Sequence, residues 1–559
     1  MVKINFDLEK IILILFFAIF IFIGPGVLFD HKIQHDFPYA YGASDAFQHQ
    51  IRAEAIKDAG HFRYDAAYIV KGFKDVVGTY PPVIYHLAIS WSYASGAETY
   101  DAIYFIAVFF AIIASFVMYL IIRNFNKTVA LFSLLLSMLI FSHPPLMGFM
   151  WGHWPSILSQ SFLLLFFWAV MRMNLDKSFI IISLSLSAMA LTHMPPLIFG
   201  MLFLVLFFGL KLLAKKLNKN DIKTMGISAG IFLAISFYYV IIFLNTWFKA
   251  QPYSFIIEPV WNGNPGFYIA GFGLLAIPLG FGLILSISKL KNLHVSLILA
   301  VSMLIGGFLN YVGFGFRSFQ IRFFWPIYLS VFIGLGIYIL FKFIIKKWNF
   351  VYTAAILVIL AVLLTGIIKF PILKQTDVQT IPSIPYLNIA THQGIMDSFH
   401  WESLNWISEN TETNATIYFF YGDIYNQDAL LRNSKRIHYQ VDPDDFIKYL
   451  QERKIKKEYI TEFPGDDAQT LTYRTSFFKF INHLATISSE YSFGPRNICN
   501  FDYYVFDRAS RQPVLAQYNL IIANDLIKKD FINPVFENQL VVILKNNNPG
   551  GDCIEERSF

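Results

Sequence analysis

The chain has 559 residues, of which 56% are hydrophobic and 18% aromatic, with 59 Phe. Only 15% are charged, against roughly 25% in a soluble globular chain, so lipid is the solvent that tolerates most of this sequence. The net charge of +6 is modest and spread over short connections, which excludes a nucleic-acid surface, and two cysteines exclude a disulfide-rich scaffold or a cysteine-based metal knuckle.

A hydrocarbon core about 30 Å thick takes about 20 mostly apolar residues as a helix. Eleven such segments follow in chain order, near 9–29, 101–122, 128–142, 156–172, 178–192, 196–214, 224–246, 267–288, 293–312, 322–345 and 350–370. The first has no A-x-A-like exit and too long an apolar run for a cleaved leader, so it reads as a retained span. Lys and Arg of short connections stay on the cytoplasmic side. Arg123 and Lys127, Arg172 and Lys177, Lys211 to Lys223, Lys289 and Lys291, and Lys342, Lys346 and Lys347 each follow an even-numbered span. With Lys3 and Lys10 at the start, this predicts a multi-pass cell-membrane protein with a cytoplasmic N-terminus.

The reading is thus of a polytopic α-helical membrane domain over residues 1–373 and a soluble extracytoplasmic α/β domain over 374–559. In the latter, "ATIYFFYG" (415–422) and "QLVVILK" (539–545) read as strands, and "SFHWESLNWISEN" (398–410) and "DDFIKYLQER" (444–453) as amphipathic helices. Cys499 and Cys553 both fall there, either as a disulfide, which an oxidising compartment favours, or as two buried thiols.

The long first outer loop, 30–100, carries "GASDAFQHQIRAEAIKDAGHF" from Gly42 to Phe62. A helix is expected from an N-cap at Ser44 to Gly60, with Asp45 in the first turn and Asp45, His49 and Arg52 on one face. A solvated loop helix would look the same. The other outer ends argue for more. "TYPPVIYH" (79–86), "SHPPLMGFMWGHWP" (142–155) and "THMPPLI" (192–198) couple Pro-Pro pairs with aromatic or His residues, so His143, His153 and His193 converge with His49 on one side. Glu258 sits in an apolar outer loop, 251–266, and Arg317 and Arg322 lie among six Phe and Trp at an outer span edge. An Arg near hydrocarbon is costly unless paired, and its fork suits phosphate oxygens, although ordinary snorkelling would also place it there. The span centres hold almost no charge, which favours an enzyme at the outer leaflet over a transporter with midplane ionisable groups.

These stretches resemble the GT-C glycosyltransferases, multi-span enzymes that take sugar from polyprenyl-phosphate or polyprenyl-diphosphate carriers at the non-cytoplasmic face. "SDAFQHQIRAEAIKDAG" is similar to the family's first outer loop and its acidic residue, which the resemblance assigns to Asp45. "GTYPPVIYHLAI" and "HWESLNWISENTETNATIYFFYGD" resemble segments of the oligosaccharyltransferase catalytic subunit and its relatives. The chain departs from that subunit at two places. Its Trp-Trp-Asp-Tyr-Gly motif has only "FFYGD" (419–423) as a counterpart, and its acidic pair in the second outer loop is replaced by "MWGHWPS" (150–156) with His153.

The resemblance implies transfer of a sugar from a lipid carrier to a glycan, lipid or protein acceptor, with the bilayer and the lipid-linked sugar as partners. Asp45 is then the general base. Arg317 and Arg322, with His49, Arg52 and Tyr80, bind the donor phosphate. His153, Glu258, His143 and His193 orient substrate, and Asp45, His153 and Glu258 could hold a divalent cation such as Mg or Mn. A lipid or sugar-lipid transporter and a non-catalytic receptor with an exported ligand-binding domain are the rival readings.

Overall fold

The structure, a computed structural model, describes residues 8–30, 32, 34–70, 76, 78, 80–142, 145–173, 175, 177–245, 272–289, 295–307, 319–365, 381–382, 384, 394–422, 424–440, 448, 451–452, 497–508 and 513–554. All eleven apolar segments carry helix. They are α1 (Leu8–Phe29), α4 (Thr99–Arg123), α5 (Lys127–Ser137), α7 (Trp154–Val170), α8 (Ser178–Ala190), α9 (Pro195–Leu213), α10 (Lys219–Asn245), α11 (Ala276–Lys289), α12 (Val295–Gly307), the pair α13 (Phe319–Tyr328) and α14 (Ser330–Ile344), and α15 (Phe350–Leu364). By length and composition, three helices among the described residues can cross a membrane, Thr99–Arg123, Pro195–Leu213 and Lys219–Ile242, and seven shorter helices are apolar.

Two segments differ from expectation in form. The third span ends in a 3-10 turn, Met138–Phe141. The tenth is two helices that meet at Leu329, three residues after Pro326. α3 (Val83–Ser95), between the first two apolar segments, is among the helices not expected from the sequence, and it packs along α4.

Helix ends and crossings follow local chemistry. Asp101 in the first turn of α4 and Arg123 in the last suit its dipole. The Asn126 side chain caps α5 by accepting from the Thr128 and Val129 amides. Where α11 crosses α14, Gly282 meets the Phe332 backbone and Gly336 the Pro278 backbone, so small residues permit close approach. Glu9 of α1 accepts from Arg123 Nε at 2.5 Å and from Tyr119, and lies 3.2 Å from Lys127 Nζ, tying α1 to the far end of α4.

The C-terminal region is a five-stranded mixed sheet, order β2-β1-β3-β5-β4, with β1 (Thr416–Phe419), β2 (Ile437–Gln440), β3 (Tyr503–Asp507), β4 (Ile532–Glu537) and β5 (Val541–Asn546). β1 pairs in parallel with β2 and β3, and β5 antiparallel with β3 and β4. Central β3, "YYVFD", is buried throughout. Edge strand β4 carries Pro534 and a register break before Phe536, features that blunt an exposed edge. The helices α16 (Ser398–Asn410), α17 (Asp428–Leu431) and α18 (Pro513–Ile527) accompany the sheet. The expected helix at 444–453 falls almost wholly outside the described residues. Cys499 and Cys553 form a disulfide across a sequence separation of 54, which contributes about 4 kcal/mol in the chain-entropy account.

Within this module His400 is buried between two carboxylates. Its Nδ1 lies 2.6 Å from Asp397 Oδ2 and its Nε2 3.1 Å from Asp507 Oδ2. Burial opposes its charge, but Asp397 and Asp507 outweigh burial and push its pKa up to about 9. A pKa raised above the unfolded value of about 6.5 gives stability that is complete below that pH and lost as pH rises through 9. The contribution is on the order of 3 kcal/mol. Thermal melts of the full chain between pH 6 and 10 should therefore show a steep alkaline loss that H400Q flattens. An equally steep loss in H400Q would place its cause elsewhere.

Candidate functional site

The charged stretch between the first two apolar segments forms α2 (Ser44–Ala59). Ala43, extended at φ −156°, takes the N-cap position without a side-chain cap, and Ser44 is the first helical residue rather than the cap expected. At the other end Gly60 adopts φ 69° and its amide donates to the Ile56 carbonyl at 2.9 Å, the left-handed closure glycine makes cheap.

The helix is not the solvated element its charge would allow. Phe47 and Ile51 are fully buried, and His49, Gln50 and Arg52 are buried with them, while Asp45 is exposed at the first turn. The expected common face therefore divides, with His49 and Arg52 inward and Asp45 at the open end.

Each buried polar group has a specific environment. Arg52 Nη1 donates to both Asp65 carboxylate oxygens at 2.9 Å, and its guanidinium lies 4.5 Å from the centre of the Tyr80 ring. His49 Nδ1 shares a 2.9 Å hydrogen bond with the Tyr85 hydroxyl on α3. Burial, then the charges of Arg52, His193 and His153, hold His49 down to about 3, so its imidazole is neutral at neutral pH. Arg52 likewise has its charge already met by Asp65, so neither presents a free cation to a donor phosphate.

The second and third outer turns close on α2. Gly42 donates to the Met150 carbonyl at 2.8 Å, at the end of the short helix α6 (Pro145–Met150). Gly152, at φ 83°, lies so close to α2 that an added Cβ would stand 2.5 Å from Ala46 Cα and 2.7 Å from the Asp45 carbonyl carbon. Only glycine fits, on both conformation and space. His153 follows at once and is the N-cap of α7. Trp154 is fully buried, donates to the Phe149 carbonyl at 2.6 Å and stacks edgewise on Tyr41. The Val83 amide donates to the Leu191 carbonyl at 3.0 Å, which draws the turn carrying His193 to the start of α3. Burial lowers His193 to about 4.

The structure thus brings together Asp45, His49, Arg52, Tyr80, His153 and His193. His143, Glu258 and Arg317 lie outside the described residues. Arg322 lies in α13, the helix that packs on α6. The "FFYGD" stretch is largely buried, with Phe420 stacked 4.2 Å from Phe506 and Tyr421 only 4% exposed; Asp423 is outside the described residues. Sequence reading missed Asp65, Tyr85, Gly152 and Trp154 as site-builders. Tyr85 and Trp154 stood in stretches already singled out, but nothing periodic links Arg52 to Asp65 thirteen residues on. Among the described residues no group of three or more His, Cys, Asp or Glu could hold a metal ion; Glu258, the third member of the expected cation set, lies outside them.

Removing one partner of the Arg52–Asp65 pair leaves the other charge buried alone, a cost of about 3–5 kcal/mol. D65A should lower stability by that amount, and R52M/D65A should recover most of it, read by thermal or denaturant unfolding in detergent. A D65A protein as stable as the wild type would show that water reaches Arg52.

No protein-family model and no curated protein matches the sequence. Solved structures do. The Archaeoglobus fulgidus oligosaccharyltransferase in its apo form matches with a TM-score of 0.55 at 12% identity, over 89% of this chain and 69% of that one. The same organism's oligosaccharyltransferase in complex with an inhibitory peptide and a dolichol-phosphate matches at 0.53 and 13% identity, over 89% and 69%. ArnT from Cupriavidus metallidurans bound to undecaprenyl phosphate matches at 0.51 and 11% identity, over 95% and 97%. The chain thus shares, distantly, the fold of these solved structures.

Proposed function

We propose that this chain is a multi-pass membrane glycosyltransferase that moves a sugar from a polyprenyl-phosphate or polyprenyl-diphosphate carrier to an acceptor at the outer face. The observation that carries the reading is Asp45. It is an exposed carboxylate at the first turn of an otherwise buried polar helix, fixed from below by Gly152, in a fold shared with proteins solved with dolichol-phosphate and undecaprenyl phosphate.

In this reading the acceptor hydroxyl attacks the anomeric carbon of the sugar. Its oxygen forms the new glycosidic bond, its proton passes to Asp45, and the bond between the sugar and the carrier phosphate breaks with its electrons going to the phosphate oxygen. Arg322, with Arg317, offsets the charge that grows on the leaving phosphate. His49, neutral and held by Tyr85, orients substrate by hydrogen bonding and leaves the base role to Asp45. His153, His143, His193 and Glu258 orient donor or acceptor, and no step is routed through a metal. The eleven spans, the domain division near 374 and the outward C-terminal module belong to the same proposal. The disulfide supports the outward placement, since such bonds persist in oxidising compartments.

Native mass spectrometry of gently purified protein tests it. Bound lipids spaced by isoprene units, lost in R322A, are expected, and D45N should lower turnover of that lipid's sugar by about 10²–10⁴-fold without loss of fold. Ordinary phospholipid alone, with the protein intact, would favour a receptor or transporter and return Asp45 to a loop residue.

A further inference from the structure

We infer that the C-terminal module positions the catalytic helix, with Gly394 and Lys435 as its two positioning residues; this rests on the transfer reading above. The module meets α2 at both ends. Ahead of the helix, the Ile395 amide donates to the Tyr41 carbonyl at 2.7 Å, four residues before Asp45. Gly394 lies against the same peptide, where an added Cβ would stand 2.5 Å from Tyr41 N and closer still to its carbonyl oxygen. Tyr41 itself donates to the Tyr100 carbonyl at 2.7 Å, and Trp401 of α16 packs edgewise on Tyr100.

At the last turn of α2, Lys435 Nζ lies 2.6 Å from Asp58 Oδ2 and 3.6 Å from Glu54 Oε1. Two features mark Lys435 as placed for that reach. It adopts φ 52°, a left-handed conformation that glycine would take without strain. Its neighbour Arg436 is bolted into the module, donating to Thr411 Oγ1 at 2.9 Å and to the Ser408 and Thr411 carbonyls at 2.8 and 2.7 Å. Arg436 holds the turn to α16, and Lys435 extends from that turn to α2. The module therefore sets the position of the helix whose first turn carries Asp45.

Hydrogen–deuterium exchange on the full chain in detergent, followed by mass spectrometry, tests this. K435G relieves the backbone strain and removes the ion pair. A purely structural role predicts unchanged or slower exchange. Positioning predicts exchange about two- to fivefold faster in 44–59 peptides, with β1 and β3 unchanged. K435E should behave as K435G does, and K435E/D58K should restore protection. G394V should speed α2 exchange by about tenfold or more. Unchanged α2 exchange in K435G and G394V, or a uniform rise across the chain, would overturn the inference. The transfer reading fails on a different measurement: wild-type protein that takes up no added undecaprenyl phosphate in native mass spectrometry would overturn it, whatever the exchange shows.

Discussion

The backbone of Gly152 rests on the backbone of Asp45 and Ala46, and no side chain could stand between them. That contact sets the depth at which α2 enters the protein. With the second outer loop pressed against its first turn, Trp154 fills the space beneath, and Tyr41 and Tyr104 pack on its ring. Asp45 is left at the surface while residues one and two turns on descend among aromatic rings. A single larger residue at 152 would lift the helix and separate the groups that the outer turns bring together.

A helix this polar is not buried by its own hydrophobicity. Phe47 and Ile51 supply some apolar area, and the rest of the burial depends on meeting each charge. Arg52 is met by Asp65 and the face of Tyr80. His49 escapes the cost of a buried charge by giving up its proton, and Lys57 reaches Ser92 and Thr99. Buried ion pairs seldom add net stability. Their retention under α2 is better understood as fixing one register and one tilt for the residue at its mouth.

The apolar segments were legible because long apolar runs mark helices; each carries helix among the described residues, and three of those helices are long and apolar enough to cross a membrane. Strands β1 and β5 and helix α16 were legible from short periodic runs. What escaped depends on contacts distant in sequence or on backbone detail. The division of the tenth segment at Leu329 interrupts an otherwise uniform apolar run. α3 was missed because its Ser, His and Tyr residues interrupt the apolar pattern. Asp65 carries no periodic signal that would pair it with Arg52, and the charge state of His49 is decided by burial that no local pattern reports. The convergence of His49, His153 and His193 follows the expectation that alternate connections between the apolar segments share a side. His143, Glu258 and Arg317 lie outside the described residues.

The clamp at Glu9 bears on how the chain is made. Glu9 and Arg123 are 114 residues apart, so at ordinary synthesis rates of about 5–20 residues per second the carboxylate waits on the order of ten seconds for its partner. Until α4 is made, α1 lacks that partner; with Tyr119 and Arg123 on the final turns of α4 and Lys127 just beyond, the completed clamp joins the two helices at one end.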